Sequence, residues 1–191
     1  MTDGVNIREL ALGVLLEVTK EGSYSHLVLR AVLEKYQYLE KQERAFLTRV
    51  SEGTIQRMIE LDYIIDQFSK VKVKKMKPVI RNILRMSVYQ LKYMDSVPAS
   101  AACNEAVKLA RKKGFSSLSG FVNGVLRNIA RNLEQIAYPD MEKQKLEYFS
   151  VKYSMPQWII GQWNSDYGQE QTEEMLKAFA TEAPLTIRTN L

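Results

Sequence analysis

Apolar residues recur along this chain at three- and four-residue intervals, the period of helices that bury one face. Ile7, Leu10, Ala11, Val14, Leu15 and Val18 form the first such stripe, and Gly22 ends it. Ser23 or Ser25 is placed to cap a second helix with Leu29, Val32, Leu33 and Tyr36 on its face. A third starts near Lys41 and carries Phe46, Leu47, Val50 and Thr54, with Gly53 on the same side. A shorter one starts near Asp62 and uses Leu61, Ile64, Ile65 and Phe68. Pro78 then suits the first turn of a helix whose inward residues are Ile80, Ile83, Leu84, Ser87, Val88 and Leu91. The stretch Asp95-Ser96-Val97-Pro98 closes it.

An alanine-rich helix over residues 100–113 follows, stopped by Gly114, and Ser116 to Ser119 offer caps for the next. That next helix holds an apparent contradiction, because Asn123-Gly124 is a turn signal. Yet Phe121, Val122, Val125, Leu126 and Ile129 continue a helical stripe across it. The pattern favours a helix that accepts about 1 kcal/mol for Gly124 relative to Ala so that a neighbour can approach closely. On this reading Asn123 and Gly124 are structural, and Lys108, Arg111 and Lys112 come to lie beside Arg127 and Arg131.

Three more helices are expected, over about 143–150, over 156–167 and around Met175, Leu176 and Phe179, with Trp158 and Trp163 as packing residues. Only residues 185–190 alternate with a period of two, which predicts a single terminal strand. The fold class is therefore all-α. Residues 1–135 form the main helical domain, and residues 136–191 form a small helical linker and the start of a further region.

Charge changes the picture. The chain has 191 residues and a net charge of +5, but residues 70–132 hold 14 Lys and Arg against Asp95 and Glu105, a net +12. The flanking parts are acidic. This concentration points to a polyanionic partner, with RNA first among them, against the alternative of a solvated basic face. The candidates for RNA contact are Arg8, Lys72, Lys74, Lys75, Lys108, Arg111, Lys112, Lys113, Arg127 and Arg131. Arginines on a rigid helix can grip phosphates bidentately while lysines act as point charges. For Arg127 a helix-end cation or an internal pair remains the competing role. Tyr89 and Tyr93 are the nearest aromatics, so phosphate contacts are favoured over base stacking.

Enzymatic signatures are missing from the sequence. The single Cys103 reads as a small buried residue, and His26 as a surface or boundary residue. There is no metal-ligand spacing and no glycine-rich phosphate loop. Neither a secretory leader nor a bilayer-spanning stretch is present, so a cytoplasmic protein with no membrane partner and no metal is expected.

The segment Val97-Pro98-Ala99-Ser100-Ala101-Ala102-Cys103-Asn104-Glu105-Ala106-Val107-Lys108-Leu109-Ala110, with Gly120 to Asn128, resembles the NusB family of helical RNA-binding domains. Arg8, Gly53-Thr54, Leu61-Asp62, Pro78, Leu84-Arg85-Met86 and Tyr89-Gln90-Leu91 join the resemblance. It implies two packed bundles of three to four helices over about residues 5–132, with the Asn104 and Asn123 helices as neighbours and Asn104 therefore structural as well. The continuation through Ala183-Pro184-Leu185-Thr186-Ile187-Arg188-Thr189-Asn190 resembles the linker and first strand before the catalytic domain of RsmB (Sun, Fmu) ribosomal RNA cytosine-C5 methyltransferases.

That likeness implies an RNA-binding portion that docks such an enzyme on 16S ribosomal RNA, with no cofactor in this chain. S-adenosylmethionine and the two catalytic cysteines are implied for a methyltransferase domain beyond residue 191, and Cys103 matches neither cysteine. The alternatives are a stand-alone NusB-like transcription antitermination factor that binds RNA with a protein partner, and a helical protein-interaction module.

Overall fold

The computed structural model describes residues 5–181, which are helical with no strand among them. The expected strand at residues 185–190 lies outside the described residues. Contacts divide the chain after Ile136 into two compact units.

In the first unit, α1 (Ile7–Lys20) is capped by Asn6, whose side chain accepts from the Glu9 amide, and it buries Ala11, Leu12, Val14 and Leu15. Helix α2 (Ser25–Lys35) buries only Leu29 and has Tyr24 at its N-cap with no side-chain cap, so neither Ser23 nor Ser25 caps it. Helix α3 (Lys41–Gln56) is followed at once by α4 (Met58–Phe68), with Arg57 at the joint. The expected start of α4 near Asp62 was therefore one turn late. A reorientation without Gly or Pro leaves no mark in the pattern.

Helix α5 (Pro78–Tyr93) is the axis of this unit, packing against α1, α3, α4 and the two helices that follow it. From Asn82 to Gln90 every residue is buried, so its polar side chains need internal partners. Arg85 Nε and Nη2 donate to Asp62 Oδ1 and Oδ2, both at 2.6 Å, in a fork-to-fork pair between α5 and α4. Arg85 Nη1 donates to Asn82 Oδ1, and Asn82 Nδ2 donates to Thr19 Oγ1 of α1 at 2.8 Å. Gln90 Nε2 donates to the Met86 carbonyl, and Gln90 Oε1 accepts from Arg8 Nε at 2.8 Å. Three helices are thus tied by one polar network inside an apolar core. Arg85 is buried while Asp62 keeps an edge to solvent, so removing Asp62 would leave a buried guanidinium without its carboxylate.

Helices α1 to α3 pack with α5 on one side, and α4, α6 (Ala99–Lys112) and α7 (Ser119–Arg131) pack with it on the other. This is the expected double bundle, with α5 shared. Close approach occurs at Gly53 of α3, where a Cβ would collide with the Tyr89 ring of α5. At Gly124 the space is open, and the residue is exposed. The close-packing role expected of Gly124 is therefore incorrect. The helix continues through Asn123-Gly124 because the apolar stripe of Val122, Val125, Leu126 and Ile129 is fully committed to the core.

The second unit contains α8 (Lys145–Tyr153), α9 (Gln157–Tyr167) and α10 (Gln169–Ala180), gathered around Phe149, Ile160 and Leu176. Trp163 packs on this cluster and stacks on Phe179 at 5.6 Å between ring centroids. Trp158, expected to pack, is 75% exposed. It lies two residues before Ile160, hence on the far side of the helix, whereas Trp163 is one turn on and faces inward.

Candidate nucleic-acid interface

Helices α6 and α7 form an antiparallel hairpin that carries most of the candidate residues. Gly114 ends α6 with φ +84°. Its amide donates to the Arg111 carbonyl and that of Phe115 to the Ala110 carbonyl, a Schellman closure that turns the chain back. A 3₁₀ turn, Ser116–Leu118, leads into α7. Ala102, Cys103, Ala106, Leu109 and Ala110 form the buried face of α6, and the small size of all but Leu109 lets α7 lie close.

Because the hairpin is antiparallel, the C-terminal turn of α7 meets the N-terminal turn of α6. Arg127, Ala130 and Arg131 share a cavity wall with Ala99, Ser100 and Cys103. The expectation that Arg127 and Arg131 lie beside Lys108, Arg111 and Lys112 is thus corrected. From Cys103 to Arg111 is roughly 12 Å along the helix, at about 1.5 Å per residue. The hairpin has two basic ends, and helix spacing by itself carried no information about which ends meet.

These ends differ in their acidic neighbours. Near the turn, Lys112 Nζ and Lys113 Nζ each lie 2.6 Å from Glu9 of α1, one on each carboxylate oxygen. Hydrogen bonds from Lys112 and then Lys113 hold the Glu9 carboxyl below its ordinary pKa. Lys108 Nζ lies 2.7 Å from Glu105 one turn back. Arg111 is exposed and has no acidic partner among the described residues. At the other end Arg127 Nε donates to Asn123 Oδ1 at 2.9 Å, and neither Arg127 nor Arg131 meets a carboxylate among the described residues.

The remaining candidates are elsewhere. Arg8 is half-buried: its Nε is taken by Gln90, and its guanidinium lies 4.8 Å from the Phe46 ring centroid. Burial lowers its pKa, partly offset by Glu105. It braces α1 against α3 and α5. Lys72 folds back on Asp66, 3.8 Å away, while Lys74 and Lys75 stand exposed on the 3₁₀ turn Val73–Lys75 between α4 and α5. Asn104 is exposed and Asn123 half-buried. The two tyrosines are not stacking platforms, since Tyr89 fills the space at Gly53 and the Tyr93 hydroxyl donates to the buried Glu60. Burial pushes the Cys103 thiol up, with Arg127 opposing, so the neutral form is favoured.

Glu9 is the functional residue that charge counting within the basic third passed over. The pairing of Glu9 with Lys113 spans 104 positions, beyond the reach of any local pattern. Among the described residues no cluster of His, Cys, Asp and Glu could hold a metal, and no helix is long and apolar enough to cross a membrane.

Residues 5–131 match the NusB family, and residues 155–191 match the ferredoxin-like domain of RsmF/B-like methyltransferases. The chain is 34% identical over 185 residues to the probable ribosomal RNA small subunit methyltransferase B of Bacillus subtilis, covering 97% of this chain and 40% of that protein. It is 33% identical over 141 residues to the transcription antitermination protein NusB of Symbiobacterium thermophilum, covering 70% of this chain and 92% of that protein. A crystal structure of the antitermination factors NusB and NusE with double-stranded RNA aligns with a TM-score of 0.60 at 24% identity, over 65% of this chain and 93% of that one. At that identity the likeness speaks for the fold alone. The chain spans about two fifths of the length of the methyltransferase relative.

Proposed function

This chain belongs to the NusB family through residues 5–131, and on that premise we propose that it is the RNA-binding N-terminal part of a 16S ribosomal RNA cytosine-C5 methyltransferase. Its role is to dock the enzyme on small-subunit ribosomal RNA. The observation that carries the RNA reading is the α6–α7 hairpin, where Arg111, Arg127 and Arg131 stand exposed on the double bundle without acidic partners among the described residues. Such groups attract and orient a phosphate backbone and leave sequence choice to other contacts. Similarity to the methyltransferase relative extends well past the bundle, over 97% of the chain, which favours the enzyme setting.

S-adenosylmethionine would be bound and used by the methyltransferase domain of the whole protein. The described residues here are helices joined by short turns, with no strand and glycine-rich loop to cradle such a cofactor. No step of methyl transfer is assigned to them.

A second reading has its own support. The match to 92% of the Symbiobacterium antitermination protein favours an RNA-binding factor that works with a protein partner in transcription. Competition binding separates the two. Labelled small-subunit ribosomal RNA is bound to the chain at several salt concentrations and challenged with unlabelled 16S fragments or with leader transcripts. The docking reading expects salt-dependent binding that 16S fragments compete best. Preferential competition by leader transcripts would replace it with the second reading, and no binding at low salt would end both.

A further inference from the structure

The cavity where α7 ends against the start of α6 is more specific than a basic surface. It measures about 170 Å³ and is lined by Ala99, Ser100, Cys103, Arg127, Ala130 and Arg131. That is below the range of roughly 300–1,000 Å³ typical of small-molecule sites, so it suits one compact group. The small side chains of α6 open one wall. The other wall presents two arginines one helical turn apart.

Every charged element at this place is positive. Neither guanidinium is paired with a carboxylate among the described residues. The bond from Arg127 Nε to Asn123 Oδ1 steadies that side chain without neutralising it. Cys103 is 3% exposed and lines the cavity as a neutral group. The first turn of α6 holds no acidic residue, and no side chain caps it. Its leading amides add partial positive charge beside the arginines. Two forked cations converging on a small cavity without an anion of its own form a receptor for a tetrahedral oxyanion.

We propose that this cavity seats one backbone phosphate of the bound RNA, gripped by Arg127 and Arg131, with Ser100 at the opposite wall. The inference rests on the RNA-binding reading and deepens it by distinguishing one subsite from the rest of the basic surface. Arg111, roughly 12 Å along the same helix pair, meets the RNA at another phosphate.

The test uses the full 191-residue chain, with inorganic phosphate as one probe and labelled 16S RNA as the other. In nitrogen-15 NMR titrations phosphate should shift the amides of Ser100 and Ala101 and the Nε of Arg127, and R127Q/R131Q should abolish the response. The same double variant should bind RNA about tenfold more weakly or worse and flatten the salt dependence by one to two charges, as expected for lost phosphate contacts. R111Q should leave the phosphate response intact. R127K/R131K keeps the charge but loses the fork, so its salt dependence should match the parent while affinity falls severalfold.

If R127Q/R131Q binds RNA with parental affinity and salt dependence, the subsite is wrong while the RNA reading stands. If the parent binds no RNA at low salt yet its Ser100 amide responds to phosphate, the cavity holds an adventitious ion only and both readings fall.

Discussion

The two ends of the α6–α7 hairpin carry similar formal charge and differ in what folds against them. At the turn, Lys112 and Lys113 share the Glu9 carboxylate, and at the open end Arg127 and Arg131 surround a cavity without an acid. Exposed pairs such as those at Glu9 contribute little to stability, typically about 0–1 kcal/mol. Their larger effect is electrostatic, since an acid between two lysines reduces the pull that end exerts on a phosphate backbone. Availability of a cation, more than its presence, separates the two regions.

The strongest way to break this comparison is charge reversal. R127E/R131E should weaken RNA binding by roughly thirtyfold or more at moderate salt, since each reversal removes a phosphate contact and adds repulsion. K112E/K113E should weaken it by only about threefold, because those lysines are already partly neutralised. Filter binding of the two variants side by side checks both, and equal losses would erase the distinction between the ends.

Relieving the acid sharpens the contrast from the other side. E9Q should tighten RNA binding by about twofold and steepen its salt dependence. The same residue makes a pH prediction. Its carboxyl is held below the ordinary glutamate value by Lys112 and Lys113, so the stability it adds is present above about pH 4.3 and is lost as pH falls through the depressed folded value. Thermal melts of the parent should therefore lose more stability than those of E9Q between pH 6 and pH 3.

The smallest effect concerns the helix between the two ends. Gly124 is exposed, with open space where a Cβ would stand. G124A should leave RNA affinity unchanged and raise stability by about 0.5–1 kcal/mol. A loss of stability in denaturant melts would restore the close-packing role that the structure removes.

Much of the fold was legible because burial imposes periodicity. The inward residues predicted for α5 are buried apart from the half-buried Leu91, though Asn82, Arg85, Met86, Tyr89 and Gln90 are buried beside them, and α3, α5, α6 and α9 begin within a residue of their expected starts. The position of the break at Arg57 was not legible, because no Gly or Pro marks it. Gly53 and Gly124 both sit inside helices, but only at Gly53 does a ring from another helix occupy the place of a side chain.

The residues that carried the family resemblance prove to be largely contacts that hold the bundle. Asp62 meets Arg85, Gly53 admits Tyr89, and Gln90 receives Arg8. The charge of Arg8 is visible in the chain, whereas the acceptor that holds its Nε is 82 positions away.

By itself the sequence determined the helical class, most of the core, the NusB resemblance and the concentration of 14 basic residues in the middle third. These depend on periodicity and local composition, which the chain states directly. Tertiary structure decided how many of those charges remain available. Glu9, Glu60, Asp62 and Asp66, all from the acidic first third, fold onto Lys112, Lys113, Lys92, Arg85 and Lys72. Electrostatic energy falls with distance in space rather than with separation along the chain. The open arginines beside α6 become distinct from the masked lysines at the turn only when the helices have packed.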